Sequence, residues 1–169
     1  MIIHKNIKMK RLIICLFLTL ISLIAWGQQY RMYRTDNYHN QLRLNTATGE
    51  VVQFQDDGQS WLITGDKVPN GGLNGRFILY KTQNMWTFIE LDTFTGRLWQ
   101  VQFSVKGIEY MFAIPINEYV LSDSYRSVFT IEPMTSMYQF YLINQETGEM
   151  WKFQWSTKTE DGYRWIEKI

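Results

Sequence analysis

From Tyr30 to the C-terminus, apolar and polar residues alternate with a period of two, in short runs broken by Gly, Asn, Asp and Thr. Leu42 and Leu44, Ile89 and Leu91, and Tyr141 and Ile143 fall on one face of one predicted strand. Val52 and Phe54, Trp99 and Val101, and Trp151 and Phe153 fall on one face of the strand that follows. Gln53, Gln55, Gln100, Gln102, Lys152 and Gln154 sit between these apolar positions. Such alternation, rich in β-branched and aromatic side chains, predicts half-buried strands. Each pair of strands is joined by an Asn/Asp-x-x-Thr-Gly segment, in which Asn or Asp bonds the backbone two residues on and Gly supplies a positive φ. The unit is a hairpin.

That hairpin is written three times, as LNTATGEVVQFQ (residues 44–55), LDTFTGRLWQVQ (91–102) and INQETGEMWKFQ (143–154). Aligned on Gly49, Gly96 and Gly148, the copies extend upstream without a gap, so that Tyr30, Phe77 and Phe129 coincide, as do Asn37, Asn84 and Ser136. A repeat of about this length marks a supersecondary unit that buries its apolar surface against its neighbours. A first strand precedes each hairpin (30–34, 77–82, 129–132) and a fourth follows it (61–64, 110–116, 163–167), with turns at Asp57-Gly58, Lys106-Gly107 and Asp161-Gly162. The expected fold is all-β: three tandem four-stranded antiparallel meanders, about 29–72, 73–124 and 125–169, in one domain over residues 28–169. Three units also suit a trefoil-type closure, a curved meander barrel, or a ring completed by dimerisation, since propeller rings typically carry about 4–8 blades.

The segment Leu91-Asp92-Thr93-Phe94-Thr95-Gly96-Arg97-Leu98-Trp99 resembles the LDxxTGxxxW hairpin of quinoprotein-type β-propeller blades. Asp56-Asp57-Gly58-Gln59-Ser60-Trp61 is similar to the Asp box of sialidase-type blades, with Phe54 where the leading Ser of that motif stands. Across residues 29–169 the layout resembles small exported repeat proteins of Gram-negative bacteria. The resemblance implies blade-like sheets and brings no catalytic residues, because neither motif is catalytic in its better-known hosts.

The N-terminus changes the picture of destination. His4, Lys5, Lys8, Lys10 and Arg11 precede an apolar run over residues 12–26 that ends in Ala25-Trp26-Gly27, the form of a secretory signal peptide over residues 1–27. The run is shorter than the roughly 20 residues of a spanning helix, so no stable membrane span is expected after its removal. Periplasmic, cell-surface or secreted localisation follows. The remaining 142 residues hold no cysteine and one histidine, and thirteen basic against sixteen acidic residues leave a balance of −3. That sign disfavours nucleic acid, and the composition removes thiol chemistry and thiolate metal sites.

Nucleophile-base pairs and metal centres draw mostly on His and Cys, so no catalytic residue, metal site or cofactor is expected and the protein reads as a non-enzyme. His39 stands where the other units have Trp86 and Tyr138. The carboxylates Asp36, Glu90, Asp92, Glu109, Glu132, Glu146 and Glu149 leave a glycoside hydrolase as a distant third reading. Trp86 and Phe88, with Tyr138 and Phe140, share the opposite face of the second strand, as a second packed layer or as an exposed platform. The binding candidates are therefore Trp86, Phe88, Tyr138, Phe140 and His39. The expected partner is a glycan or a protein, and the alternative is an assembly subunit that forms a homo-oligomer through the same face. Gln55, Gln102 and Gln154 are expected to be amide posts bonding neighbouring turns.

Overall fold

The structure is a computed structural model that describes residues 27–68, 72–117, 119–122, 124–158 and 162–169. The predicted signal segment, apart from Gly27, lies outside the described residues, as do 69–71 and Asp161 of the predicted turns and Asp123 of the second join. The fold is all-β, with twelve strands in three four-stranded antiparallel sheets and no closed barrel. The first sheet is β1 (Tyr30–Arg34), β2 (Asn40–Asn45), β3 (Val51–Gln55) and β4 (Ser60–Thr64). The second is β5 (Phe77–Lys81), β6 (Thr87–Asp92), β7 (Leu98–Gln102) and β8 (Phe112–Asn117). The third is β9 (Phe129–Pro133), β10 (Gln139–Asn144), β11 (Met150–Gln154) and β12 (Trp165–Lys168). Each is a plain meander in chain order, as the repeats imply, and none is a trefoil unit. Among the described residues no helix is long and apolar enough to cross a membrane.

The sheets are stacked, with the second between the other two. Leu42, Leu44 and Val51 of the first sheet pack against Phe77, Leu79, Phe88, Trp99 and Val101 of the second. On its other face, Ile89, Leu91, Leu98 and Ile116 pack against Phe129, Ile131, Phe140, Leu142, Trp151 and Phe153 of the third. Every residue of β6 is buried as a result. Each sheet therefore has a forward face, carrying Leu42 and Leu44 or their equivalents, and a backward face, carrying the equivalents of Phe88 and Trp99. The apolar pairs that the pattern assigns to the second and third strands of a unit lie on opposite faces: Ile89 and Leu91 look forward, Trp99 and Val101 look back.

Two devices join one sheet to the next. Gln53, wholly buried on β3, donates from Nε2 to the Ser104 carbonyl at 2.8 Å and accepts from the Ser104 N–H at Oε1 at 3.3 Å. Gln100, wholly buried on β7, makes the same pair with Ser156, at 2.7 and 3.2 Å. A primary amide presents one donor and one acceptor side by side, so it bridges the next backbone much as another strand would. The second device is the Thr-Gly turn. The Thr46 carbonyl accepts the N–H of Phe77 at 2.8 Å, and the Thr93 carbonyl accepts those of Val128 and Phe129 at 2.9 and 3.0 Å. The hairpin thus closes its own sheet and seats the first strand of the following one.

That seat needs a bare backbone. A Cβ at Gly96 would lie 3.1 Å from Leu121 and from the Phe129 ring, whereas one at Gly148, in the third described sheet, would meet nothing within 4 Å. Both glycines have positive φ, 73° and 75°, so backbone strain is common to the two and packing is not. Gly148→Ala should cost about 1 kcal/mol, the strain alone, and Gly96→Ala at least about 1 kcal/mol more from overpacking, compared by urea denaturation. Gln100→Ala strips both partners from the buried Ser156 backbone and should cost about 2–4 kcal/mol, against less than about 1 kcal/mol for the half-buried Gln102→Ala by the same measurement.

Candidate functional site

The turns between the first and second strands of each unit, and those after the third, gather at one rim of the stack. In the first unit Asn37 Oδ1 accepts the His39 N–H at 3.1 Å; in the second Asn84 Oδ1 accepts the Trp86 N–H at 2.9 Å; in the third Ser136 Oγ accepts the Tyr138 N–H at 3.4 Å. These short polar side chains hold the backbone in a local turn and lift the following ring onto the rim. There each ring meets the residue just beyond the third strand. Trp86 packs on Phe103 with centroids 5.2 Å apart, Tyr138 packs on Trp155 at 5.0 Å, and His39 Nδ1 lies 3.1 Å from Asp56 Oδ2. Two junctions are aromatic pairs and one is a polar pair.

Of the five binding candidates, the structure places His39 and Tyr138 in the open, leaves Trp86 half-buried, and buries Phe88 and Phe140 at 1% and 5% exposure. Phe88 and Phe140 are the backward-face core of the second and third sheets, so on this face the packed layer prevails over the exposed platform. The four aromatics are split because Trp86 and Tyr138 precede β6 and β10 and stand on the turn, whereas Phe88 and Phe140 lie within those strands.

Trp86 lines a cleft of about 340 Å³ with Gln102, Phe103, Ser104, Val105, Lys106 and Tyr110. Sequence reasoning missed Tyr110 as a site residue because it reads as the start of the fourth strand. It instead belongs to a 3-10 turn, Ile108–Tyr110, ahead of β8, and is half-exposed. Gln102 donates from Nε2 to the Tyr110 carbonyl at 3.2 Å and ties that turn to the cleft wall. Gln154 makes the matching bond to the Tyr163 carbonyl at 3.2 Å, so both glutamines act as posts for neighbouring turns. Among the described residues none accepts a hydrogen bond from the Trp86 indole N–H, whereas the Trp155 indole is spent on the Met137 carbonyl at 3.0 Å. Val105 also borders a second cleft, with Asn37, His39, Asn40, Gln55, Asp56 and Asp57, which places the His39–Asp56 pair beside the Trp86 cleft along the rim.

The carboxylates are mostly occupied elsewhere. Asp92 is held bidentately by Arg76, at 2.9 and 2.7 Å, and accepts from the Phe94 N–H and the Thr95 hydroxyl. Its hairpin role is met in full. Asp36 pairs with Lys81, Glu146 with Arg126, and Glu149 with Lys168. Among the described residues no group of three or more His, Cys, Asp or Glu is placed to hold a metal ion.

Glu90 differs from the rest. It lies wholly buried between the first and second sheets, with Lys67 Nζ 2.8 Å from Oε2. Neither of its oxygens receives a well-aligned hydrogen bond from a described residue. Burial pushes its carboxyl up to about 7, and the nearby Lys67 ammonium restrains the rise. Lys67 reaches in from the segment after β4, where its own N–H and Nζ bond the Thr48 and Gly49 carbonyls, both at 2.7 Å. The pair therefore pins the first hairpin to the second sheet.

No protein-family model matches the chain, and no curated protein or solved structure is significantly similar to it. The class of the protein is accordingly set by its own architecture, an open stack of three antiparallel meanders with an aromatic rim.

The Glu90 pair yields a pH prediction whose sign is fixed. A carboxyl raised in the folded state binds its proton more tightly there than in the unfolded chain, so its contribution to stability is full below about 4.5 and falls as pH rises through about 7. Lys67→Met leaves the charged form of Glu90 without its counter-ion. It should cost about 3 kcal/mol at pH 8 and markedly less at pH 5, where Glu90 already carries its proton. Urea denaturation at the two pH values measures the difference, and Glu90→Gln should abolish it.

Proposed function

We propose that the protein is an exported, non-enzymatic binding module that recognises a saccharide in the cleft beside Trp86. The observation that carries this reading is the half-buried indole, fixed by Phe103 behind it and with its N–H bonded to no described residue, at a concave space shared with the exposed Tyr110 and the polar Gln102, Ser104 and Lys106. Aromatic faces supply apolar area to the C–H face of a sugar ring, and a few fixed polar groups orient its hydroxyls. The volume lies at the small end of ligand pockets, about 300–1,000 Å³. A stable protein interface needs about 800 Å² on each partner, which a cleft of this size does not offer. The signal-like N-terminus supports a setting outside the cytoplasm, where glycans are abundant.

The test is binding of soluble oligosaccharides, screened on a glycan array and quantified by calorimetry. Tyr110→Ala, at an exposed turn, should weaken a detected saccharide by at least tenfold, about 1.4 kcal/mol, without lowering the melting temperature. Trp86→Ala should abolish it, and Trp86→Phe, which keeps a ring on Phe103, should retain part of the affinity. An array with no binder, or one whose binder ignores both substitutions, would overturn the reading.

A further inference from the structure

The stack has two ends, and each end displays half of the joint that the two internal interfaces complete. At one end the backward face of the first sheet carries Tyr30, Met32, Arg43, Phe54 and Leu62, of which Tyr30 and Met32 are each 50% exposed and Leu62 is 62% exposed. At the other, the forward face of the third sheet carries Tyr141, Ile143, Lys152 and Trp165, all part-buried. The third hairpin, residues 145–149, is exposed throughout, whereas the first two hairpins are almost wholly covered by the sheet that follows them. Because the first and third sheets lie on opposite faces of the second, the described residues of one chain do not cover its own ends.

We infer that these ends join head to tail between copies of this chain, the forward face of the third sheet of one copy packing on the backward face of the first sheet of the next. Position by position, the residues are those the joint requires. Lys152 stands where Gln53 and Gln100 stand in the other units, and Asp57 stands where Ser104 and Ser156 receive them. At the internal joints an amide meets a backbone amide; at the ends an ammonium would meet a carboxylate. The change from Gln to Lys on one face is thus answered by the change from Ser to Asp on the other, which is charge complementarity at the centre of the contact. Asp57 already holds the geometry of its serine counterparts. Its Oδ1 accepts the Gln59 N–H at 3.0 Å, as Ser104 Oγ and Ser156 Oγ each accept the N–H two residues on at 3.0 Å. Around this centre Arg34, on the same face as Met32 and Arg43, opposes Glu132, which shares the face of Tyr141 and Lys152 and lies, like Arg34, on the first strand of its sheet.

The hairpin seat is duplicated as well. The Thr46 and Thr93 carbonyls accept the N–H groups of Phe77 and Phe129, whereas among the described residues none donates to the equivalent Gln145 carbonyl. Tyr30, aligned with Phe77 and Phe129, begins the first sheet, and among the described residues no sheet stands ahead of it. A heterologous contact of this kind builds a ring when its rotation closes and a filament when it does not. The joint draws on Asp57 of the second rim cleft but on no residue of the Trp86 cleft, so it stands whether or not the saccharide reading does.

Sedimentation velocity on the purified protein should show concentration-dependent association at or below about 100 μM, a Kd reachable by a modest interface. Lys152→Glu alone should weaken association at least tenfold by setting a carboxylate against Asp57, and Asp57→Lys alone should do the same by setting two ammonium groups together. Mixing the two variants in equal amounts should restore association to within about threefold of the unsubstituted protein, since each then meets an opposite charge. Asp57→Asn, which keeps the turn and removes only the charge, should give an intermediate constant and guards against a misfolded Asp57→Lys. A protein that stays monomeric throughout overturns the inference, as does association indifferent to Lys152→Glu or lost in both variants without recovery on mixing.

Discussion

The interaction on which the structure depends is the buried glutamine amide that bridges one sheet to the backbone of the next. Apolar packing between sheets is strong but undirected, and two flat faces lined with Leu, Phe and Trp slide over one another at little cost. Gln53 and Gln100 each fix a point, because their two hydrogen bonds to Ser104 and Ser156 form at one relative placement of the sheets only. An amide buried without partners would be costly, so the same residues penalise every other placement. Around those points the aromatic and aliphatic side chains settle into the two core clusters. The Thr-Gly turns add a second fixed point near the hairpin ends.

With two points fixed per joint, the rest of the chain follows a directional logic. Each repeat has a face that offers the glutamine, or Lys152 in the third, together with the hairpin, and a face that receives them. The second unit uses both, which is why β6 is buried from end to end, while the first uses its forward face and the third its backward face. Residues at equivalent positions diverge where their surroundings do. The Glu90 position is Arg43 in the first unit, stacked over Tyr30 and Phe54 at the open end, and the buried Leu142 in the third. Arg43 pairs with Glu50 of its own hairpin, whereas the wholly buried Glu90 takes its counter-ion, Lys67, from the segment after β4.

This directionality also separates what the sequence discloses from what it hides. The strands, the hairpins, the three-fold repeat and the meander order are legible because each rests on local chemistry: alternation for the strands, the Asx bond and positive φ for the turns. Assignment of faces is not local. Period-two alternation marks one apolar side, yet in the second sheet both sides are apolar, and Phe88 beside Ile89 reads as ambiguous until neighbours lie on each side. The role of Gln53 and Gln100 is hidden for the same reason, since alternation only sets them between apolar positions, although Gln, Gln and Lys at one position of three repeats is the signal that two sheets are covered and one is not. The candidate site is legible in part. His39, Trp86 and Tyr138 are found as rim rings through their shared place in the repeat, while Tyr110 is lost because a strand-like sequence, YMFAI, begins in a 3-10 turn.

The rim shows how the same scaffold carries different side-chain pairs at little structural expense. Each unit sets one side chain on the turn before its second strand and another just after its third, and the two must touch because β2 and β3, or their equivalents, are hydrogen-bonded neighbours. Their identity, unlike their proximity, is free. In the third unit the pair closes on itself, with Trp155 fully buried and its indole spent on Met137. In the first it becomes the His39–Asp56 pair, polar and open to water. Among the described residues, only in the second does a half-buried indole find no acceptor for its N–H, beside a fourth-strand approach that carries a 3-10 turn and an exposed tyrosine. A core that demands contact at this place, but not a particular contact, leaves the chemistry of each of the three equivalent junctions free to diverge.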